Sequence, residues 1–135
     1  MLYRVAALMV GAAEAEEIVQ DAFERGMRQR DFFATVREPR AWLRTVAARR
    51  AVDRLRRRRI LERLRPATPP GPNAWERLDL ALALRRLGAR PRVAIVLRYY
   101  QDASYDEIAT ALGVAPSSVG PLLTRARAEL REALC

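Results

Sequence analysis

Residues 104–130, Ser104-Tyr-Asp-Glu-Ile-Ala-Thr-Ala-Leu-Gly-Val-Ala-Pro-Ser-Ser-Val-Gly-Pro-Leu-Leu-Thr-Arg-Ala-Arg-Ala-Glu-Leu130, read as two helices across a tight turn. Ser104 and Glu107 have capping-box spacing: the serine side chain takes an amide of the first turn and the glutamate reaches back to the serine. Ile108, Ala109 and Leu112 form the buried face, Gly113 ends the first helix and Val114 packs in the turn. Val119, Leu122 or Leu123, Ala126 and Leu130 supply the second helix. A small residue, a glycine four later and a β-branched residue six beyond it is helix-turn-helix spacing. The small side chain lets two helices cross closely, and glycine supplies the left-handed turn. The competing reading is two ordinary packed helices.

Upstream lies the charge of the molecule. Between Arg37 and Arg65 there are twelve arginines against three acids (Glu38, Asp53, Glu62), a local charge of +9 that equals the net charge of the whole chain. Arg40-Ala-Trp-Leu-Arg-Thr-Val-Ala-Ala-Arg-Arg-Ala-Val-Asp-Arg-Leu-Arg-Arg-Arg-Arg59 reads as a helix entered at Pro39, with Leu43, Ala47, Ala51 and Leu55 in an i, i+4 series. That series can seat one face on a core while arginines cover the rest. A solvated face usually interleaves both signs, and this one does not. A concentrated cationic helix points to nucleic-acid phosphate.

Composition narrows the rest. All 25 basic residues are arginine, histidine is absent, and the single cysteine is the terminal Cys135. A zinc site, a Cys/His dyad and an intrachain disulfide are thereby excluded. No nucleophile–base pair or phosphate loop can be assembled, so we expect neither catalysis nor a cofactor. Met1–Val10 followed by Ala13-Glu-Ala15 faintly mimics a signal peptide, but one arginine and a short apolar run continuing into an amphipathic helix favour a retained segment. No stretch reaches the roughly 20 apolar residues of a membrane span. The expected protein is soluble and cytoplasmic.

No period-two alternation occurs, so the expected fold is all-α. Pro66-Ala-Thr-Pro-Pro-Gly-Pro-Asn73 holds four of the eight prolines and separates two helical halves. We expect small helical domains at 1–64 and 76–135 with a linker at 65–75. The first half predicts helices over about Leu2–Val10 and Ala13–Arg30, then the basic helix. Ile18, Val19, Ala22, Phe23 and Met27 mark the apolar stripe of the second. The second half opens on a helix over about Trp75–Leu87, carrying Leu78, Leu80, Leu82, Leu84 and Leu87 and closed by Gly88.

Taken together, Ala15-Glu-Glu-Ile-Val-Gln-Asp-Ala-Phe-Glu-Arg25, the arginine helix, and Leu87-Gly-Ala-Arg-Pro-Arg-Val-Ala-Ile-Val-Leu-Arg-Tyr-Tyr100 with the helix-turn-helix resemble the sigma-70 family of bacterial RNA polymerase sigma factors, in its extracytoplasmic-function (ECF) form. The likeness spans nearly everything from Leu2 to Leu134 outside the linker. It implies family region 2 in the first half, binding core polymerase and the −10 element, and region 4 in the second, binding the −35 element. The implied partners are core polymerase (β′ clamp helices and β flap), promoter DNA and an anti-sigma factor, with no membrane insertion.

The resemblance assigns roles residue by residue. Glu17, Gln20, Asp21 and Phe23 match the polymerase-docking helix, with Glu17 and Asp21 expected to be exposed; Phe23 as plain core is the competing reading. Arg28, Phe32, Phe33 and Arg37 lie where the family captures a flipped −10 base, although Phe32 or Phe33 could equally plug the core. Aromatic stacking in a cationic channel suits single-stranded DNA. Trp42 matches a core tryptophan. Arg44, Arg49, Arg50, Arg54 and Arg57 match phosphate contacts and duplex opening, and Asp53 an acid that orients a neighbouring arginine. Arg98, Ser117, Ser118, Leu122, Arg125 and Arg127 match −35 contacts.

Three departures stand out. Position 50 is usually asparagine in the family, the first helix lacks about one turn or more, and Gly120-Pro121-Leu122 interrupts a recognition helix that usually carries a basic or polar residue there. Proline inside a helix costs about 3 kcal/mol unless the helix kinks or starts later, at a Ser117 or Ser118 cap. The expected function is promoter recognition and melting with core polymerase. A sigma-like interaction protein with weakened promoter reading is the alternative.

Overall fold

Gly11 divides the apolar N-terminal run. Its φ of 94° and ψ of 158° lie in a region that favours glycine, and it ends one helix and caps the next. In a computed structural model describing residues 2–29, 36–62 and 75–134, these helices are α1 (Leu2–Val10) and α2 (Ala12–Arg28). The chain continues through α3 (Pro39–Glu62), α4 (Trp75–Arg86), α5 (Ala89–Tyr100), α6 (Tyr105–Leu112) and α7 (Pro116–Leu134). Among the described residues there is no strand, as expected for an all-α chain.

Each helix buries the face its spacing allows. In α1 this is Val5, Ala6, Met9 and Val10, and in α2 Ala15, Ile18, Ala22 and Gly26. The α2 face corrects the expected stripe: Phe23 is half exposed and Met27 lies almost wholly in solvent. Small residues line the seam instead, so α2 packs closely on its neighbours and the two larger side chains are left outside. Along α3 the buried residues are Ala47, Ala48, Ala51, Val52 and Leu55, again mostly alanine. Leu43 and Trp42 are half buried.

Helix α5 is the axis of the molecule. Arg92 to Leu97 are buried without a break, which marks a helix surrounded on all sides. It packs against α1 and α3 of the first half and against α6 and α7 of the second. The two helical halves pack against each other, and their buried residues form one cluster running from Val5 and Met9 through Val93 and Leu97 to Leu123 and Ala126. The proline-rich residues 66–73 lie outside the described residues.

The helix-turn-helix forms as its chemistry requires. The Ser104 hydroxyl accepts from the Glu107 amide and the Glu107 carboxylate accepts from the Ser104 amide, each at 3.1 Å. Gly113, at φ 67° and ψ 38°, is the left-handed end of α6. Its amide donates to Thr110 and that of Val114 to Ala109, the Schellman pattern. Helix α7 starts at Pro116, not at a serine cap farther on, so Gly120 and Pro121 lie inside it. Pro116 occupies the first-turn position, where no amide is missed. Pro121 removes a single bond, the one to the Ser117 carbonyl.

Candidate nucleic-acid interface

The arginines of α3 divide by face. Arg50, Arg54 and Arg58 recur every four residues and turn toward α2, where Glu14, Glu17 and Asp21 form the matching acidic stripe. Arg50 Nε lies 2.5 Å from Asp21 Oδ2 and Arg54 Nη2 lies 2.6 Å from Glu17 Oε2. Arg58 Nη2 lies 2.7 Å from Glu14 Oε2 and also donates to the Val10 carbonyl at the end of α1. Arg25 adds a second cation on Asp21, at 3.6 Å. Asp21 is therefore half buried and ion-paired, where an exposed carboxylate was expected; Glu17 is exposed but also paired.

A second group of α3 arginines meets the helix-turn-helix. Arg44 pairs with Glu107, and Arg49 donates to the Thr110 carbonyl at 3.0 Å. Glu107 is held below the usual carboxylate range, first by the Ser104 amide; burial is the next largest influence and opposes this, while the Ser104 hydroxyl and Arg44 add to the lowering. Arg37, Arg40, Arg56 and Arg57 face solvent. Arg57, with Arg50, Arg54, Asp53, Glu17, Ile18 and Asp21, lines a polar cleft of about 320 Å³ between α2 and α3.

The expected contact residues are thus brought together, though often with one another as partners. Gln20, Phe23 and Arg28 are exposed on α2. Phe32 and Phe33 lie outside the described residues. In the second half, Ser117, Ser118 and Arg125 are exposed on α7, while Leu122 is half buried against the core. Arg98 is committed inside the protein: it donates to the Ala103 carbonyl at 3.1 Å and lies 5.6 Å from the centre of the Tyr105 ring. Arg127 is exposed but leans toward α5, donating to the Tyr99 hydroxyl at 3.0 Å.

The sequence reading missed Glu14, Arg58 and Arg92. Glu14, Glu17 and Asp21 follow i, i+3, i+7, and Arg50, Arg54 and Arg58 follow i, i+4, i+8. Two complementary stripes were legible, but not that they meet. Nothing in the sequence distinguished Arg92 from exposed arginines. Among the described residues no cluster of acids or cysteines could hold a metal ion, and no helix is long and apolar enough to cross a membrane.

Comparison with known proteins adds to this geometry. Residues 1–60 match the family described as Sigma-70 region 2, and residues 77–130 match Sigma-70, region 4. The chain is 35% identical over 143 residues to the ECF RNA polymerase sigma factor SigL of Mycobacterium tuberculosis, covering 97% of this chain and 81% of that one. It is 34% identical over 127 residues to the ferric citrate uptake sigma factor FecI of Escherichia coli, covering 85% and 73%. Among solved structures it resembles the sigma factor RpoE of Bartonella quintana, crystallised with the anti-sigma factor NepR. The TM-score there is 0.75 at 26% identity, over 98% of this chain and 89% of that one. The M. tuberculosis ECF sigma factor SigJ gives a TM-score of 0.70 at 28% identity, over 96% of this chain and 49% of that one.

Proposed function

We propose, for a chain that belongs to the sigma-70 family of RNA polymerase sigma factors in its ECF form, a division of labour between its two halves. As a sigma factor it binds core RNA polymerase and directs promoter recognition in transcription initiation. In the proposed division, residues 1–64 dock on the polymerase clamp through Glu17, Gln20, Asp21 and Phe23. They hold the −10 region through Arg28, Arg37, Arg44, Arg49, Arg50, Arg54 and Arg57. Residues 76–135 meet the −35 region through the exposed face of α7, with Ser117, Ser118 and Arg125 foremost.

One observation carries this reading. A single long helix carries nine arginines against two acids, most of the chain's charge excess, and a correctly capped helix-turn-helix stands beside it. Arginine neutralises phosphate at any physiological pH, and a helix-turn-helix sets its second helix in the major groove. A sigma-like protein that reads promoters poorly is not favoured, because the matches cover both DNA-contacting regions. RpoE is held by an anti-sigma protein, and an inhibitor of that kind is proposed here as well. An apolar groove lined by Phe23, Met27, Pro39 and Leu43 offers it a place.

Run-off transcription with purified core polymerase on genomic promoter fragments tests the reading. Promoter-specific transcripts are expected only when this chain is added. Asp21→Ala combined with Glu17→Ala is expected to weaken co-purification with core polymerase while helical circular dichroism is retained. Unchanged co-purification would remove the docking assignment.

A further inference from the structure

Helix α7 presents a continuous outward arc with an unusual centre. Ser117, Ser118, Pro121, Thr124, Arg125 and Ala128 are exposed, whereas Val119, Leu123 and Ala126 are fully buried. At about 100° per residue, the three buried side chains stand roughly 140–160° around the helix from Pro121. Ser117 and Arg125 lie only about 40° to either side of it. Gly120 is half buried, and a Cβ at that position would sit 3.6 Å from the Tyr105 ring. The helix is thus seated on α6 through Gly120, and Pro121 is turned squarely outward, at the sixth residue of the helix. Whatever α7 lies against meets the proline ring first.

The chemistry of that ring limits what it can accept. Proline has no amide donor, and its ring has no acceptor. A hydrogen-bonding base edge pressed against it would lose water without gaining a partner. In the major groove, only thymine offers an apolar group, its C5 methyl. Resting on the assignment of α7 to promoter DNA made above, we propose that Pro121 is a specificity-determining residue that selects thymine in the upstream element by packing on its C5 methyl. The flanking hydroxyls of Ser117 and Thr124 and the guanidinium of Arg125 hold the neighbouring phosphates and base edges. The interruption of the helix is then the reading element itself, not a defect in it.

The test uses the full chain bound to core polymerase and duplexes carrying a randomised upstream element. The wild-type holoenzyme is expected to enrich a thymine at one position. Replacing that thymine by deoxyuridine, which removes only the methyl, is expected to lower affinity about four-fold, equivalent to about 0.8 kcal/mol. Pro121→Ser is expected to lose the same factor on the thymine duplex and to bind both duplexes equally. Pro121→Val, which keeps an apolar surface, is expected to retain the preference. Indifference of the wild type to deoxyuridine at every enriched thymine overturns the inference, as does continued discrimination by Pro121→Ser. If the wild type enriches no upstream sequence at all, the assignment of α7 to DNA falls with it. An upstream preference independent of the methyl defeats the inference alone.

Discussion

Arg92 is 5% exposed, and its guanidinium donates to the Leu8 carbonyl from Nε at 3.1 Å and from Nη2 at 2.9 Å. It ties the end of α1 in the first half to the central helix of the second. Burial, and then the neighbouring charges of Arg58 and Arg85, bring its pKa down from the ordinary arginine value to about 10. The unfolded chain therefore binds more protons than the folded one only between those values. This group's contribution to stability rises with pH across that window, and at neutral pH it is charged in both states. Truncation by Arg92→Ala orphans the Leu8 carbonyl and is expected to cost about 1–3 kcal/mol. The measurement is a lower urea midpoint at unchanged slope. Arg92→Met also removes the buried charge but fills most of the space, so it is expected to be milder than alanine.

At the scale of elements, the matched stripes on α2 and α3 give each helix a second role. The acids proposed to dock on polymerase, Glu17 and Asp21, neutralise Arg54 and Arg50 in the free chain. Partly exposed pairs of this kind contribute little stability, about 0–1 kcal/mol each, but they occupy charge that phosphate could use. Asp21→Asn with Glu17→Gln is expected to leave the fold intact and to steepen the salt dependence of DNA binding by the free chain. Each arginine released adds about 0.9 to the slope of log affinity against log salt, so the change is at most about 1.8. An unchanged slope would show that these pairs do not mask the arginines. In α7, Gly120→Ala is expected to raise the melting temperature by the equivalent of about 1 kcal/mol, because alanine favours the helix by that much. The added methyl meets the Tyr105 ring at ordinary contact distance, 3.6 Å.

On the scale of the whole molecule, the closed arrangement places α6 over two of the arginines proposed to hold the −10 region. Glu107 pairs with Arg44, and Arg49 donates to Thr110. Both arginines must leave α6 before they can meet phosphate, so the promoter-bound form is expected to have its halves apart. Glu107→Arg sets like charges face to face at this seam and removes half of the Ser104 capping box. The expected result is a larger radius of gyration by small-angle scattering, with the helical signal largely kept. Acid acts in the same direction. The Glu107 pKa is depressed in the folded chain, so its contribution is full above the ordinary carboxylate value and is lost as pH falls through the lowered one.

What the sequence by itself determined was local and periodic. The capping box at Ser104 and Glu107, the left-handed end at Gly113, the helix start at Pro39 and the arginine excess each follow from neighbours a few residues apart, so one chain segment suffices to read them. The face that α2 buries depended on what it packs against. Small residues at the seam leave Phe23 and Met27 outside, and that choice belongs to the pair of helices rather than to either one. The pairing of Asp21 with Arg50, the inward turn of Arg98, the burial of Arg92 and the outward stand of Pro121 were likewise decided only by the tertiary structure. Each depends on groups brought together from other helices or turns of the chain, and a side chain's partners are set by where the packed core leaves it.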